Sequence, residues 1–162
     1  MKILLVIAAL LWGSASAAEI EGVPFVKQAS NFCGPASLES VMAFYGAPAG
    51  QEAIARSVYC QGLRGSLITD LENYAKLKGF KTKLAQGDIG DLKALIDQKR
   101  PVIVLVDLGF WVVSKPHYLV VTGYTDTGVV AHTGHEPSRL FSFGDFARIW
   151  KKKGSTYLLI HP

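Results

Sequence analysis

The sequence predicts an α+β fold in which N-terminal helices pack on a C-terminal antiparallel sheet, and three observations predict it. Helical apolar spacing dominates the chain from Cys33 to Lys99. After Pro101 the period changes, with two buried apolar runs, Val102 to Val106 and His117 to Tyr124. The turn signal Thr125-Asp126-Thr127-Gly128 then joins the second run to a paired strand through His132. Helices first and strands after argue for segregated layers rather than βαβ alternation.

Each element follows in chain order. Met1-Lys2 is a short basic start, Ile3 to Trp12 is apolar, and Gly13 to Ala18 is small. That pattern reads as a secretory signal peptide over residues 1–18, cut after Ala17 or Ala18. It leaves one domain, residues 19–162, in a secreted or periplasmic location. The apolar run is short for a bilayer span, and no Cys stands at the cut to take a lipid. No stable span is therefore expected after cleavage; the alternative is an uncleaved anchor.

The first helix follows Cys33-Gly34-Pro35-Ala36. Leu38, Val41, Met42 and Tyr45 recur at i, i+3, i+4, i+7, and Gly46 suits the stop. Pro35 suits a first turn, where its missing N–H is not needed. Gln51 to Tyr59 predicts a short second helix. Ser66 can cap a third, with Leu67, Leu71, Tyr74 and Leu77 inward and Gly79 at its end. Phe80 to Leu84 predicts a short strand, and Ile89 to Lys99 a fourth helix through Leu92, Leu95 and Ile96, stopped before Pro101. Ser142 with Asp145 three residues on caps a last helix carrying Phe146, Ile149 and Trp150. Thr156 to Ile160 closes as a strand.

The net charge of +4 favours acidic surfaces or lipid headgroups without defining a function. Lys151-Lys152-Lys153 is the only basic run and reads as a solvated helix end. No phosphate-cradling Gly loop with Lys and no nucleic-acid motif is present, so no nucleic-acid partner is expected. His132, His135 and Glu136 share one Gly-containing loop, a weak metal signal that reads better as solvated. No metal and no cofactor are expected.

The chemistry-bearing feature is Cys33. A thiol at a helix mouth meets unpaired backbone N–H groups and the positive dipole end, which favour the nucleophilic thiolate. The chain has two cysteines. A Cys33–Cys60 disulfide and a free Cys33 exclude each other; the surroundings of Cys33 favour the free thiol, with Cys60 as a buried small hydrophobe. A thiol nucleophile needs a base, and neutral His serves near pH 7. Of His117, His132, His135 and His161, His117 opens an apolar strand, whose mouth can face a helix N terminus. The competing reading of His117 is a hydrogen-bonded core histidine.

Three segments together resemble the papain-like peptidases that process bacteriocin leaders at double-glycine sites, and more closely their secreted, stand-alone members. They are Val23-Pro24-Phe25-Val26-Lys27-Gln28, Cys33-Gly34-Pro35-Ala36-Ser37, and Pro116-His117-Tyr118-Leu119-Val120-Val121-Thr122-Gly123-Tyr124. The resemblance covers nearly all of the chain after the signal segment. It implies a papain-like cysteine peptidase fold, with the Cys helix on an antiparallel sheet that carries the His. It implies Cys33 as nucleophile, His117 as general base and acid, and Gln28 as oxyanion donor beside the Cys33 backbone N–H. A preorganised donor of that kind is worth about 3–4 kcal/mol. It implies a peptide or protein substrate, with a Gly-Gly leader as the family's example, and secretion machinery as a partner.

One position departs from the family pattern. An Asp is expected at the end of the strand after the His strand, and His132 stands there. A carboxylate stabilises the imidazolium that forms, which a neutral His cannot do. His132, Asp107, Asp126 or no residue takes the third place. Two rivals to a peptidase follow: another acyl-transfer enzyme, such as an amidase or transamidase, on the same fold, and a weak or inactive peptide-binding module.

Overall fold

The computed structural model describes residues 17–162. Of the segment read as a signal peptide, residues 1–16 lie outside the described residues, while Ala18 is already part of the sheet. The elements run β1 (Ala18–Glu19), α1 (Cys33–Phe44), α2 (Gln51–Val58), α3 (Ile68–Leu77), β2 (Lys81–Gln86), α4 (Ile89–Asp97), β3 (Val102–Asp107), β4 (Pro116–Tyr124), β5 (Gly128–His132), β6 (Arg139–Ser142), α5 (Phe143–Lys151) and β7 (Thr156–His161).

The strands form one sheet in the order β2-β7-β3-β4-β5-β6, with β1 added to the far end of β4. Every pairing is antiparallel. The fold class is therefore the α+β arrangement expected from the sequence. The longest strand, β4, is central, and its residues from His117 to Tyr124 are all buried. A strand covered on both faces reads as a continuous apolar run, which is what His117 to Tyr124 shows.

Helices α1, α2 and α3 pack on one another, and α1 lies against β3 and β4. Its stripe buries Leu38, Val41 and Met42, while Tyr45 is only half-buried at the helix end. Gly46 takes a φ of 78°, the left-handed stop. Helix α5 lays Phe146, Ile149 and Trp150 on the core, and Asp145 N–H donates to the Ser142 hydroxyl at 3.1 Å, the expected cap. Inside α1, the Glu39 carboxylate accepts from the N–H groups of Ala49 and Gly50, both at 2.8 Å, and so fixes the approach to α2.

Some expectations are corrected. Helix α3 starts after Leu67, whose backbone is extended, and the Ser66 hydroxyl caps nothing. Leu77 is 86% exposed, because helical rotation carries it past the stripe of Leu71, Tyr74 and Ala75. Cys60 is exposed rather than buried, and both thiols are free. It forms an isolated bridge with Gly65 in a loop, where no apolar face covers it. Strands β1 and β6 had no sequence signal, being two and four residues long.

Candidate functional site

Cys33 is the first residue of α1, not merely its neighbour. The first helical N–H to be used is that of Ala36, which donates to Phe32 carbonyl at 2.8 Å. Pro35 has no N–H, so Cys33 and Gly34 hold the free donors of this turn. These two N–H groups, and that of Tyr118 in the peptide linking His117 to Tyr118, lie near enough to the Cys33 sulfur to favour its anion. The start of β4 and the start of α1 therefore meet at the sulfur.

Burial pushes the Cys33 thiol up, and the N–H groups of Tyr118, Gly34 and Cys33 pull it down without offsetting the burial. This corrects the expectation of a thiolate stabilised at the helix mouth: in this structure the resting group is the thiol. Gly34 closes the packing. A Cβ there would lie 3.2 Å from Ser66 Cβ, 3.3 Å from Tyr118 Cε2 and 3.4 Å from Leu71 Cδ1.

His117 is buried at the mouth of β4. Its Nε2 lies 2.7 Å from the Thr133 carbonyl oxygen. A carbonyl can only accept, so Nε2 carries the hydrogen and Nδ1 is left as the basic nitrogen. The His135 ring stacks on it, with centroids 5.9 Å apart and planes 9° apart. Burial pushes the His117 pKa below the ordinary imidazole value; the Thr133 carbonyl opposes this, and the positive charges of His135 and Lys115 add to it. His117 is therefore neutral at pH 7.

His132 does not take the third place beside His117. Ser138 N–H donates to its Nδ1 at 3.0 Å, so its Nε2 carries the hydrogen and donates to the Val23 carbonyl at 3.1 Å. Phe25 packs edge-on against its ring, at a centroid distance of 5.7 Å. Both nitrogens are thus committed to holding the segment before α1, and neither is free for a metal. The reason lies in register: β5 ends with His132 opposite Val120, three residues short of the level of His117 along the strand pair. Asp107 and Asp126 do not take the place either. Asp107 accepts from Ser114, Lys115 and Gly109 in the loop before β4. Asp126 is exposed in the turn beyond Tyr124, at the opposite end of β4. The partner of His117 is the Thr133 backbone carbonyl.

Gln28 is half-buried. Its N–H donates to the Gly134 carbonyl at 2.9 Å, next to the residue that holds His117. Its Oε1 is buried against Gly134 without a partner, and no hydrogen bond engages its Nε2 among the described residues. Gly134 has a φ of 78°, and a Cβ there would overlap Gln28 Oε1, so only glycine fits. Gln51 of α2 brackets this segment: its Oε1 accepts from Ala29 N–H at 2.8 Å and its Nε2 donates to the Lys27 carbonyl at 2.9 Å.

Beside Cys33 opens a cleft of about 770 Å³. One wall is the segment from Leu63 to Thr69; the other includes Leu105, Lys115, Pro116 and Tyr118. The Tyr118 hydroxyl donates to the Ser66 carbonyl at 2.9 Å and ties the two walls together. Burial pushes the pKa of that phenol up, with the Cys33 and Asp70 charges adding to it, so Tyr118 is a fixed donor. The structure thus brings Cys33 to the peptide after His117, and ties Gln28 to the loop that holds His117. It leaves out His132. Sequence reasoning missed Thr133, Gly134, Gln51 and Tyr118. A backbone carbonyl leaves no trace in residue type, whereas Gly134 beside a strand end is a signal for a close approach.

The fold is a papain-like α+β arrangement, with a helix-borne thiol beside the start of the strand that carries His117. The chain belongs to the Peptidase_C39 like family, whose model matches residues 20–157. It is similar to a C39-like peptidase from Bacillus anthracis, with 16% identity and a TM-score of 0.74 over 91% of this chain and 98% of that one. The peptidase domain of Streptococcus ComA, a bifunctional ABC transporter involved in a quorum-sensing pathway, matches with 22% identity and a TM-score of 0.71 over 86% and 98%. A double-glycine-motif protease from an AMS/PCAT transporter, solved with its leader peptide, matches with 19% identity and a TM-score of 0.72 over 90% and 94%. At these identities the likeness is one of fold. A comparison with curated proteins gave no match.

Proposed function

We propose that the chain is a cysteine peptidase acting in the periplasm or outside the cell, with Cys33 as nucleophile, His117 as base and acid, and Gln28 as oxyanion donor. The observation that carries the reading is that Cys33 lines one cleft with Pro116 and Tyr118, the residues either side of His117, while the Thr133 carbonyl fixes His117 in the tautomer with a bare Nδ1. His117 Nδ1 takes the thiol proton as sulfur bonds to the substrate carbonyl carbon. The tetrahedral oxyanion is met by the Cys33 N–H and the Gln28 Nε2–H. The C–N bond breaks, His117 gives its proton to the leaving amine, and a thioester remains. Water, deprotonated by His117, hydrolyses the thioester and restores the thiol. A raised thiol and a depressed imidazole suit proton transfer during attack rather than a resting ion pair.

The substrate in this reading is a polypeptide, with a Gly-Gly leader as first candidate, because one structural neighbour is a double-glycine protease with its leader bound. Secretion machinery is the corresponding partner. The test is turnover of a Gly-Gly leader peptide by the parent chain and by Cys33→Ser and His117→Ala, with thioester trapping by mass spectrometry. Each variant should lose at least about a thousandfold in kcat. Retained turnover in Cys33→Ser would overturn the nucleophile.

A second reading, a peptide-binding module with little or no turnover, is favoured by one observation: His117 faces a carbonyl and no carboxylate. Leader binding without cleavage by the parent chain would select it.

A further inference from the structure

The loop between β3 and β4 carries surface that neither the site nor the core uses. Five of the nine large apolar residues exposed among the described residues lie in it: Leu108, Phe110, Trp111, Val112 and Val113. Phe110 is 84% exposed, and Trp111 and Val112 are each 91% exposed. Exposure of that degree describes a projecting finger.

The finger is built to be held out. At its base the Asp107 carboxylate accepts from Gly109 N–H and Lys115 N–H, each at 2.8 Å, and from the Ser114 hydroxyl at 2.6 Å. Leu108 N–H closes onto the Lys115 carbonyl at 2.9 Å, and Val113 N–H onto the Phe110 carbonyl at 3.1 Å. A Cβ on Gly109 would overlap the Val113 carbonyl oxygen, so the clamp needs glycine there. Four consecutive apolar side chains are thus presented to solvent at the end of a fixed turn. A water-soluble surface avoids such a cluster unless something covers it.

The base of the finger is cationic. Lys152 Nζ donates to the Gly109 carbonyl at 2.8 Å, and Lys153 Nζ to the Ser114 hydroxyl at 3.1 Å. Lys115 is exposed at the end of the loop. Arg148 and Arg139 line a hollow of about 420 Å³ with Phe110, the exposed Leu140 and Asp145; each Arg is paired, with Asp145 and Glu136, and Lys153 is paired with Asp107, so Lys115 and Lys152 are the collar's cations without an ion pair among the described residues. An apolar, Trp-bearing tip above a cationic collar matches the headgroup region of an anionic bilayer: aromatic and aliphatic groups enter, and Lys and Arg remain at the phosphates. A soft, disordered medium accepts a projecting finger without a preformed socket.

We propose that Phe110–Val113 is an interfacial anchor that inserts into an anionic lipid surface and holds the Cys33 cleft, whose wall includes Ser114 and Lys115, beside the bilayer. The inference stands on surface geometry and charge and does not depend on the proposed peptide chemistry.

Trp111 is its own reporter. The full chain carries Trp12, Trp111 and Trp150. Trp150 is buried, with its indole N–H donating to the Thr156 carbonyl at 2.8 Å. With Trp12→Phe, the lipid-dependent emission belongs to Trp111. The probes are vesicles of phosphatidylcholine, and of phosphatidylcholine with about a third phosphatidylglycerol, each also with brominated acyl chains. The expected result is a blue shift and bromine quenching of Trp111 on the anionic vesicles. Partition should fall by about tenfold or more on the zwitterionic ones, and again with Phe110→Ser plus Val112→Ser. Vesicle binding with Trp111 emission still aqueous would overturn the proposal, because another segment would then hold the protein. So would absence of binding, or a blue shift that needs no lipid and grows with protein concentration, which would mark a protein contact.

Discussion

The loop leading into β4 and the loop following β5 both end beside His117, yet they are held by different chemistry. The first is organised by a carboxylate, Asp107, which gathers two N–H groups, a hydroxyl and the Lys153 ammonium at 3.4 Å. The second is organised without one. Thr133 Oγ1 accepts from Glu136 N–H at 2.9 Å, His132 accepts from Ser138 N–H, and the Thr133 carbonyl holds His117. The fold thus centres a full negative charge in the loop before β4 and sets only a carbonyl dipole on His117 Nε2 from the loop after β5, whose carboxylate, Glu136, is paired with Arg139. A carbonyl fixes a tautomer and an orientation as well as a carboxylate does, but it stabilises an imidazolium less. The difference separates positioning, which this site retains, from electrostatic assistance, which it gives up.

The strongest way to break that comparison is His132→Asp, which installs the carboxylate the family pattern expects. The new group would face the Val23 carbonyl, a repulsive pairing, and would leave that carbonyl without its donor. A loss of about 3 kcal/mol in urea unfolding is expected. If stability holds and turnover rises, the loop can use a carboxylate after all.

Asp107→Asn attacks the other loop. Burial raises the Asp107 carboxyl, but hydrogen bonds from Ser114, Lys115, Gly109 and Lys153 outweigh it and hold the group well below the usual carboxylate range. A folded-state value below the unfolded one means stability that is present above about pH 4 and lost as pH falls further. The variant should lose about 2 kcal/mol at pH 7 and show a flatter acid limb; an unchanged acid limb would assign the sensitivity elsewhere.

Gln51→Ala sharpens the comparison from outside either loop, by removing the bracket on Lys27 and Ala29. About 1 kcal/mol of stability should go, and kcat on a leader peptide should fall while KM stays, because Gln28 loses its placement. The smallest effect is a matter of pH. With burial depressing His117 and no carboxylate raising it, the acid limb of kcat/KM should lie below the ordinary imidazole value of about 6.5. A limb above that value would reveal a negative charge near His117.

Much of this was legible in the sequence, for physical reasons that differ by residue. The α1 stripe, the α5 cap and the continuous apolar run of β4 rest on periodicity and local hydrogen bonding, which are written in residue types. So were the places of Cys33 at a helix start and His117 at a strand mouth, because Gly-Pro suits a first helical turn and an apolar run follows the His. The partner of His117 was not legible, because a backbone carbonyl belongs to every residue and the three-residue offset between His132 and the level of His117 depends on strand register. Cys60 was misread for a related cause: its neighbours in sequence are apolar enough, but the loop turns it outward to pair with Gly65. Ser66 has the side chain of a cap, yet Leu67 keeps an extended backbone before α3, so its hydroxyl misses the first turn.

Gly34 has the last word on how accurately the thiol is held. The space that its missing Cβ leaves is already occupied by the protein itself, from Ser66, Tyr118 and Leu71, each from a different element. α1 therefore rests on α3 and β4 with a clearance smaller than one methyl group. Such a gap works as a shim: Ala at this position would lift the first turn by a few tenths of an ångström and carry the sulfur with it. Reaction rates respond to displacements of that size long before stability does. This glycine sets a machining tolerance for the thiol, and variation there would be felt first as timing.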